Sequence, residues 1–324
     1  MGLRVCARGA PCALELIFLT IREMYDMFLL EQEFRNNSPV TISWYKEQLE
    51  EFFIWLMNNI PKAYNDPAEL NLLNFKRYGV YLKLQTKRNG DRLSSSSVHG
   101  SLRAVKAFYN FCIGEDYLED FSRQLRLPKV HCKEQLILDD HEIIKLLRAC
   151  DDSFSHYSLR NKCFVLLMLD SGLRRGEIPR INMGDVTFSS KSMIIRGKGS
   201  KQRLIPIGYQ TCEQLLNYCL KYRHGASGSE PFFVDQNGER CSDNLIKQIF
   251  KRLKDTTGIE RLHPHLLRHT FATYYLADGG DLETLRLILG HSNIQTTQMY
   301  LHLAFNLKLQ RSRHNSHIDK LFDC

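Results

Sequence analysis

A mainly α-helical chain with a small antiparallel β-sheet in its second half is the fold class that three features of the sequence predict. Apolar residues recur at helical spacing through most of the 324 residues. Gly197-Lys198-Gly199 sits between two short strand-like runs, as the turn of a hairpin would. Leu127-Pro128-Lys129 breaks the helical pattern and divides the chain in two, because proline disfavours helix in the residue before it.

Residues 1–23 mix arginines and cysteines with a short apolar run that follows Glu15, so no leader peptide is predicted. They are read as an extension without chemistry. Residues 24–126 are patterned as helices only. Tyr45, Leu49, Phe52 and Leu56 form one apolar stripe, and Leu72, Phe75, Val80, Tyr81 and Leu84 another within a helix over 71–85. A basic turn, Lys87-Arg88-Asn89-Gly90-Asp91-Arg92, leads to serines 94–97, which suit the cap of a helix over 98–112. That helix has Leu102, Val105 and Phe108 on one side, with Arg103 and Lys106 elsewhere. Residues 127–135 read as an extended linker.

The second domain, 136–324, opens on Asp139-Asp140, a cap for a helix over 142–149. Residues 161–170 are almost wholly apolar and predict a buried helix. Its end at Ser171-Gly172 should deliver Arg174 to the surface at the start of a further helix, in which Pro179 is tolerated only near the beginning. Strands are predicted over 192–195 and 202–206, and Lys198 projects from the tight turn between them. A helix over 215–222, a strand over 231–234 and a helix over 243–256 follow. The chain then reads as helical to His302. Beyond it, Ile318, Leu321 and Phe322 suit a short amphipathic helix.

Lysine and arginine number 44 against 36 acidic residues, a net charge of +8 that fits a polyanionic partner without requiring one. Ten cysteines without a Cys-x-x-Cys pair argue for reduced thiols in a cytoplasm and against a disulfide framework. No apolar run approaches the ~18 residues that a membrane span needs. No phosphate-binding glycine loop and no carboxylate cluster suited to Mg²⁺ appears, so no cofactor is expected. His265 and His269 lie at i and i+4, a zinc-like spacing. With neither a neighbouring glutamate nor a third ligand, no metal is predicted, and His269 is read as a packing or locally bonded residue.

Chemistry concentrates toward the C-terminus, where His265-Leu266-Leu267-Arg268 precedes Leu289-Gly290-His291 and then Tyr300. An arginine can fork onto two phosphate oxygens, and imidazoles can donate hydrogen bonds or move protons. A tyrosine can then attack phosphorus, provided that cations stabilise its ionised form, since its ordinary pKa is about 10. Taken singly, each residue has a structural reading: a packing tyrosine, surface arginines, a plain turn. Their joint order is what points to phosphodiester chemistry.

Together with Ser171-Gly172-Leu173-Arg174-Arg175-Gly176-Glu177 and Arg196-Gly197-Lys198, these segments resemble the tyrosine recombinase family, phage integrases and Xer-type enzymes included. The matching positions are Arg174, Lys198, His265, Arg268, His291 and Tyr300, with Tyr300 nine residues after His291. The resemblance runs from about Met24 onward. It implies an N-terminal SAM-like helical core-binding domain and a mixed, mainly α catalytic domain. Arg174 and Arg268 would clamp the scissile phosphate, and Tyr300 would form a 3′-phosphotyrosyl bond. Lys198 would protonate the leaving 5′ oxygen, with Lys201 and Arg203 as competitors for that place. His265 would assist proton removal from Tyr300, His291 would bond the phosphate, and Glu177 would hold a neighbouring arginine or histidine.

The resemblance further implies double-stranded DNA at specific sites as substrate, strand exchange through a Holliday junction, and a homotetramer, with or without a partner recombinase. Lys87, Arg88, Arg92, Arg103 and Lys106 would meet phosphates, although a solvated helix face explains each of them alone. The tail would pack in cis or pass to a neighbouring protomer. An additional N-terminal arm-binding domain is not expected, and neither is a membrane; the expected location is the cytoplasm, at the nucleoid. Chromosome-dimer resolution and mobile-element integration remain alternatives within the class. A nicking-and-rejoining topoisomerase and a DNA-binding protein without catalysis are the alternatives outside it.

Overall fold

The computed structural model describes residues 19–86, 90–129, 137–151, 157–197 and 202–311. Two compact units, Met1–Lys133 and Glu134–Cys324, divide the chain.

Among the described residues, the first unit is helical. Helix α1, Ile21–Phe34, starts three residues before the expected domain boundary at Met24. Thr20 caps it, and Glu23 reaches back to the Thr20 backbone N–H. Helix α2, Pro39–Asn59, begins with proline in its first turn behind the Ser38 cap, and a short α3, Pro61–Asn65, follows. Helix α4, Leu72–Leu84, is capped by Asn71, whose side-chain oxygen accepts from the N–H groups of Leu73 and Asn74. Helix α5, Ser95–Gly114, begins three residues before the expected start, because Ser94 rather than a later serine accepts from the Ser97 N–H. Phe28 of α1 packs edge-on against Tyr45 of α2 and Phe108 of α5, with centroids 5.2 and 5.8 Å apart. The α2 stripe of Leu49, Phe52 and Leu56 is fully buried beneath them.

In the second unit, α6, Asp140–Asp151, is capped by Asp139, whose carboxylate accepts from the Glu142 N–H at 2.8 Å. Helix α7, Ser158–Ser171, is the buried one, with Cys163, Phe164, Val165, Leu167 and Met168 inaccessible to solvent. It stops at Gly172 in the left-handed conformation, φ 61°.

The segment after Arg174 is not the α-helix expected there. Arg175–Arg180 is a 3₁₀ helix. Pro179 offers no N–H, and in an α-helix its ring would crowd the carbonyl four residues back, so the tighter turn prevails. Strands β1, Val186–Thr187, β2, Ser192–Arg196, and β3, Gln202–Pro206, form one antiparallel sheet in that order, with Ile194 opposite Leu204 and Arg196 opposite Gln202. Residues 231–234 make no strand; they contribute single bridges, Pro231 to Asn182 and Val234 to Arg240. Helices α8, Tyr209–Tyr222, and α9, Asp243–Thr257, complete the body around α7. Helices α10, Pro264–Ala277, α11, Leu282–Leu289, and α12, Gln295–Arg311, share a smaller core of Ala272, Leu276, Leu285, Leu289, Tyr300 and Ala304. Among the described residues no helix is long and apolar enough to cross a membrane.

Candidate active site

Three helix ends and one strand meet in an open groove of about 1160 Å³ lined by Arg174, Arg175, Arg203, Arg286, His265 and His291 among others. The backbone explains why cations collect here. Helix α11 ends at Gly290, φ 65°, and three successive carbonyls at that end have no helical partner. Each takes an arginine. Ile288 accepts from Arg203 Nε at 2.8 Å, Leu289 from Arg268 Nη2 at 2.8 Å, and Gly290 from Arg174 Nη2 at 3.2 Å. The negative end of the helix dipole favours the same placement. Arg268 also donates through Nη1 to the carbonyl of Gly172, at 2.6 Å, so the ends of α7 and α11 hold one guanidinium between them.

Neither helix end tolerates a side chain easily. A Cβ on Gly172 would stand 2.5 Å from Phe271 and 2.8 Å from Leu289; one on Gly290 would press on Arg203 at 3.2 Å. Both positions have positive φ, which glycine adopts without strain.

Glu177 is the anion beneath the cluster. It is 7% exposed and receives Arg203 in a fork, Nη1 to Oε1 at 2.9 Å and Nη2 to Oε2 at 2.8 Å. Arg174 adds its backbone N–H at 2.8 Å and Nη1 at 3.1 Å. Burial by itself would raise the Glu177 carboxyl, but the hydrogen bonds and charge of Arg203, with Arg174 behind them, hold it below the usual carboxylate range. The residue expected to hold a neighbouring arginine or histidine bonds two arginines. Burial, then the charge of Arg174, lowers Arg268 to about 10, so it stays charged near neutral pH.

His291 donates or accepts at both ring nitrogens. Nε2 lies 2.9 Å from Arg268 Nη2 and Nδ1 3.0 Å from the buried Thr297 hydroxyl. An arginine can only donate, so Nε2 accepts and Nδ1–H points to Thr297. Burial and the nearby arginines push the ring down to about 4, which agrees with a neutral imidazole. For His291 to donate to a phosphate it must first gain a proton, and an arriving anion favours that step.

Tyr300 comes from α12 and is 2% exposed. Burial raises its hydroxyl above 10, and Arg268, then Arg174, draw it part of the way back. Its oxygen lies 2.9 Å from Nδ1 of His269. His265, one turn earlier on α10, instead lines the groove beside Arg174 and Arg175. The expected acceptor for the Tyr300 proton and the observed partner are thus different histidines on one helix.

Among the other expected residues, Lys198 and Lys201 lie outside the described residues, as do Lys87 and Arg88. Arg203 lines the groove and is anchored on Glu177 and Ile288. Arg92 and Arg103 are exposed in the first unit, and Arg103 rests 5.1 Å above the Trp44 ring. Lys106 donates to the carbonyl of Leu125 at 2.6 Å, which gives it a structural task. Sequence reasoning passed over Thr297 and the His269–Tyr300 contact, and no spacing rule would have found either. No group of metal-ligating side chains occurs among the described residues.

Fold and site together give a mainly helical domain whose groove of arginines and histidines suits an anionic ligand. Residues 137–306 match the model of the phage integrase family. The tyrosine recombinase XerC of Bacillus pumilus is 29% identical over 278 residues, covering 83% of this chain and 88% of that protein. XerC of Chlamydia trachomatis serovar D is 32% identical over 250 residues, 75% of this chain and 78% of that protein. Among solved structures, XerH recombinase bound to a palindromic difH substrate shares the fold with TM-score 0.68 at 19% identity, over 91% of this chain and 85% of that one. A λ integrase fragment bound as a dimer to a core site shares it with TM-score 0.68 at 15% identity, over 93% of this chain and 100% of that one. The chain belongs to the phage integrase family and is a tyrosine recombinase, an enzyme of site-specific DNA recombination.

Proposed function

We propose that this recombinase cleaves each DNA strand with Tyr300, forming a 3′-phosphotyrosyl link and releasing a 5′-hydroxyl. Arg174 and Arg268 bind the non-bridging oxygens of the scissile phosphate, where their charge offsets what accumulates in the transition state. His265 and His291 complete the phosphate site from two sides of the groove. Lys198, which lies between β2 and β3 in sequence, supplies the proton to the leaving 5′ oxygen. Glu177 holds Arg174 and Arg203 from below. The observation that carries this reading is the convergence of Arg174, Arg268 and His291 on the end of α11, within reach of the helix that bears Tyr300.

Because the phosphotyrosyl link keeps the energy of the phosphodiester, a second 5′-hydroxyl reseals the strand without a nucleotide cofactor. Two such exchanges pass through a Holliday junction. Double-stranded DNA is the substrate, bound at specific sites by a homotetramer, alone or with a partner recombinase. Exposed Arg92 and Arg103, with Lys87 and Arg88, add phosphate contacts from the first unit. The relatives above carry the name XerC, which favours an Xer-type role over that of a mobile-element integrase. Unpaired cysteines among the described residues and a DNA substrate favour the cytoplasm, at the nucleoid.

The test is covalent capture. A nicked duplex, selected by the full-length protein from a random-sequence library, should yield an SDS-resistant adduct that Tyr300→Phe abolishes while DNA binding persists. Binding without an adduct on any selected duplex would defeat the assignment of Tyr300.

A further inference from the structure

Arg268 and His269 both act on the Tyr300 hydroxyl in this structure. They differ in what they can do with its proton. A guanidinium carries only donors and cannot take one up. The Nδ1 of a neutral imidazole can. It lies 2.9 Å from the hydroxyl oxygen, with the two rings tilted by 48° and their centroids 5.4 Å apart. That distance is within the range required of a general base. His265 belongs to the groove wall instead, one helical turn away along α10. The two histidines of this helix thus serve two surfaces: His265 the space where phosphate binds, His269 the packed interface with α12.

We propose that His269, and not His265, receives the proton of Tyr300 during strand cleavage and returns it during rejoining, an inference that rests on Tyr300 being the nucleophile. As the bond from the Tyr300 oxygen to phosphorus forms, the hydroxyl proton passes to Nδ1 of His269. The bond from phosphorus to the 5′ oxygen breaks, and that oxygen leaves with the bonding pair and takes a proton from Lys198. In the second step an incoming 5′-hydroxyl gives up its proton to Lys198 and attacks phosphorus. The tyrosyl oxygen departs with its electron pair and regains its proton from His269. Burial, then the neighbouring His265, His263 and Arg268, keeps His269 neutral in the free protein, with its pKa pushed down to about 4. A ring so shielded is unprotonated and able to accept. The phosphate that enters beside Arg268 cancels part of the positive field, and this raises the affinity of His269 for a proton when it is needed.

Two measurements test the assignment. In the free, ¹⁵N-histidine-labelled protein, His269 should show an unprotonated Nδ1 whose resonance moves in Tyr300→Phe. A protonated Nδ1, or one indifferent to Tyr300, would overturn the inference without any DNA in the experiment. The second is kinetic, on the selected nicked duplex. His269→Ala should slow single-turnover adduct formation by about 10² or more, within the range for loss of a general base. His269→Asn, which keeps a hydrogen-bonding group but no base, should stay slow; full recovery there would reduce His269 to a positioning residue.

A merely structural role is separated by a strand ending in a 3′-p-nitrophenyl phosphate, whose leaving group needs no proton. In a Tyr300→Phe background, joining that strand to a 5′-hydroxyl should proceed equally with and without His269. An equal loss in both reactions would mean that His269 only supports the fold. Normal adduct formation by His269→Ala would overturn the inference and leave Tyr300 in place, whereas absence of an adduct in the unmodified protein would overturn both.

Discussion

Arg203 sets both terminal nitrogens on the Glu177 carboxylate, 2.9 Å to one oxygen and 2.8 Å to the other, across twenty-six residues of sequence. This fork ties strand β3 to the segment that carries Arg174, while Nε of the same guanidinium holds the end of α11. Lysine cannot reproduce it, being a single point of charge on a flexible stem. Arg203→Lys should therefore lower adduct formation by about 10- to 100-fold with DNA binding little changed, on the scale seen when a supporting partner is lost. Quantified SDS-resistant adduct against a gel-shift titration checks it.

Glu177→Gln removes a buried carboxylate from between two arginines. The expected result is a loss of about 3–5 kcal/mol of stability, the scale for breaking a buried ion pair. The pH dependence has a definite sign. A carboxyl held below its unfolded value of about 4.3 stabilises the fold above that pH and ceases to do so as pH falls through the lower, folded value. Urea unfolding of the unmodified protein should thus weaken below about pH 4.3, and this part of the acid slope should vanish in Glu177→Gln.

His269 and His291 give the complementary signal at milder acidity. Both are pushed down to about 4 in the folded state, against about 6.5 when unfolded. The unfolded chain binds more protons, so stability is complete above about 6.5 and falls between there and about 4. His269→Gln should reduce the loss between pH 7 and pH 4.5 by on the order of 1–3 kcal/mol, as measured by denaturant titrations at the two pH values.

Thr297 has a similar hold on His291. Thr297→Val keeps the shape and leaves the Nδ1–H of His291 without its acceptor, at a cost of about 1–3 kcal/mol. Adduct formation should fall along with thermal stability. An unchanged adduct rate would mean that the ring is held by Arg268 alone.

Gly172→Ala should destabilise without touching any polar group. Its φ is 61°, and the new methyl would meet Phe271 at 2.5 Å. About 1–3 kcal/mol is expected from backbone strain, with a further cost for the displaced ring. Differential scanning calorimetry reports it directly.

What the sequence by itself determined is the part of this protein that depends on near neighbours. The apolar run of α7, the serine cap ahead of α5 and the β2–β3 hairpin are local patterns, and each is read from a window of a few residues. The joint order of His265, Arg268, His291 and Tyr300 points to phosphodiester chemistry and the resemblance adds Arg174 to them, but the chain itself gives no distances. Local rules also misplaced elements where a neighbour intervened: Pro179 turned an expected helix into 3₁₀ turns, and residues 231–234 formed only single bridges.

Tertiary structure decided which partners the site residues have. Arg268 meets the Gly172 carbonyl ninety-six residues away, Arg174 meets Gly290 at a separation of one hundred and sixteen, and Tyr300 meets His269 at thirty-one. These contacts follow from how the ends of α7 and α11 pack against α10, and α10 against α12. No periodicity encodes them, since hydrogen bonds of this kind depend on where packed helices end and which carbonyls they leave unpaired. That is why His265 and His269, one turn apart and alike in sequence, have different partners: one stands at the groove and the other at the hydroxyl of Tyr300.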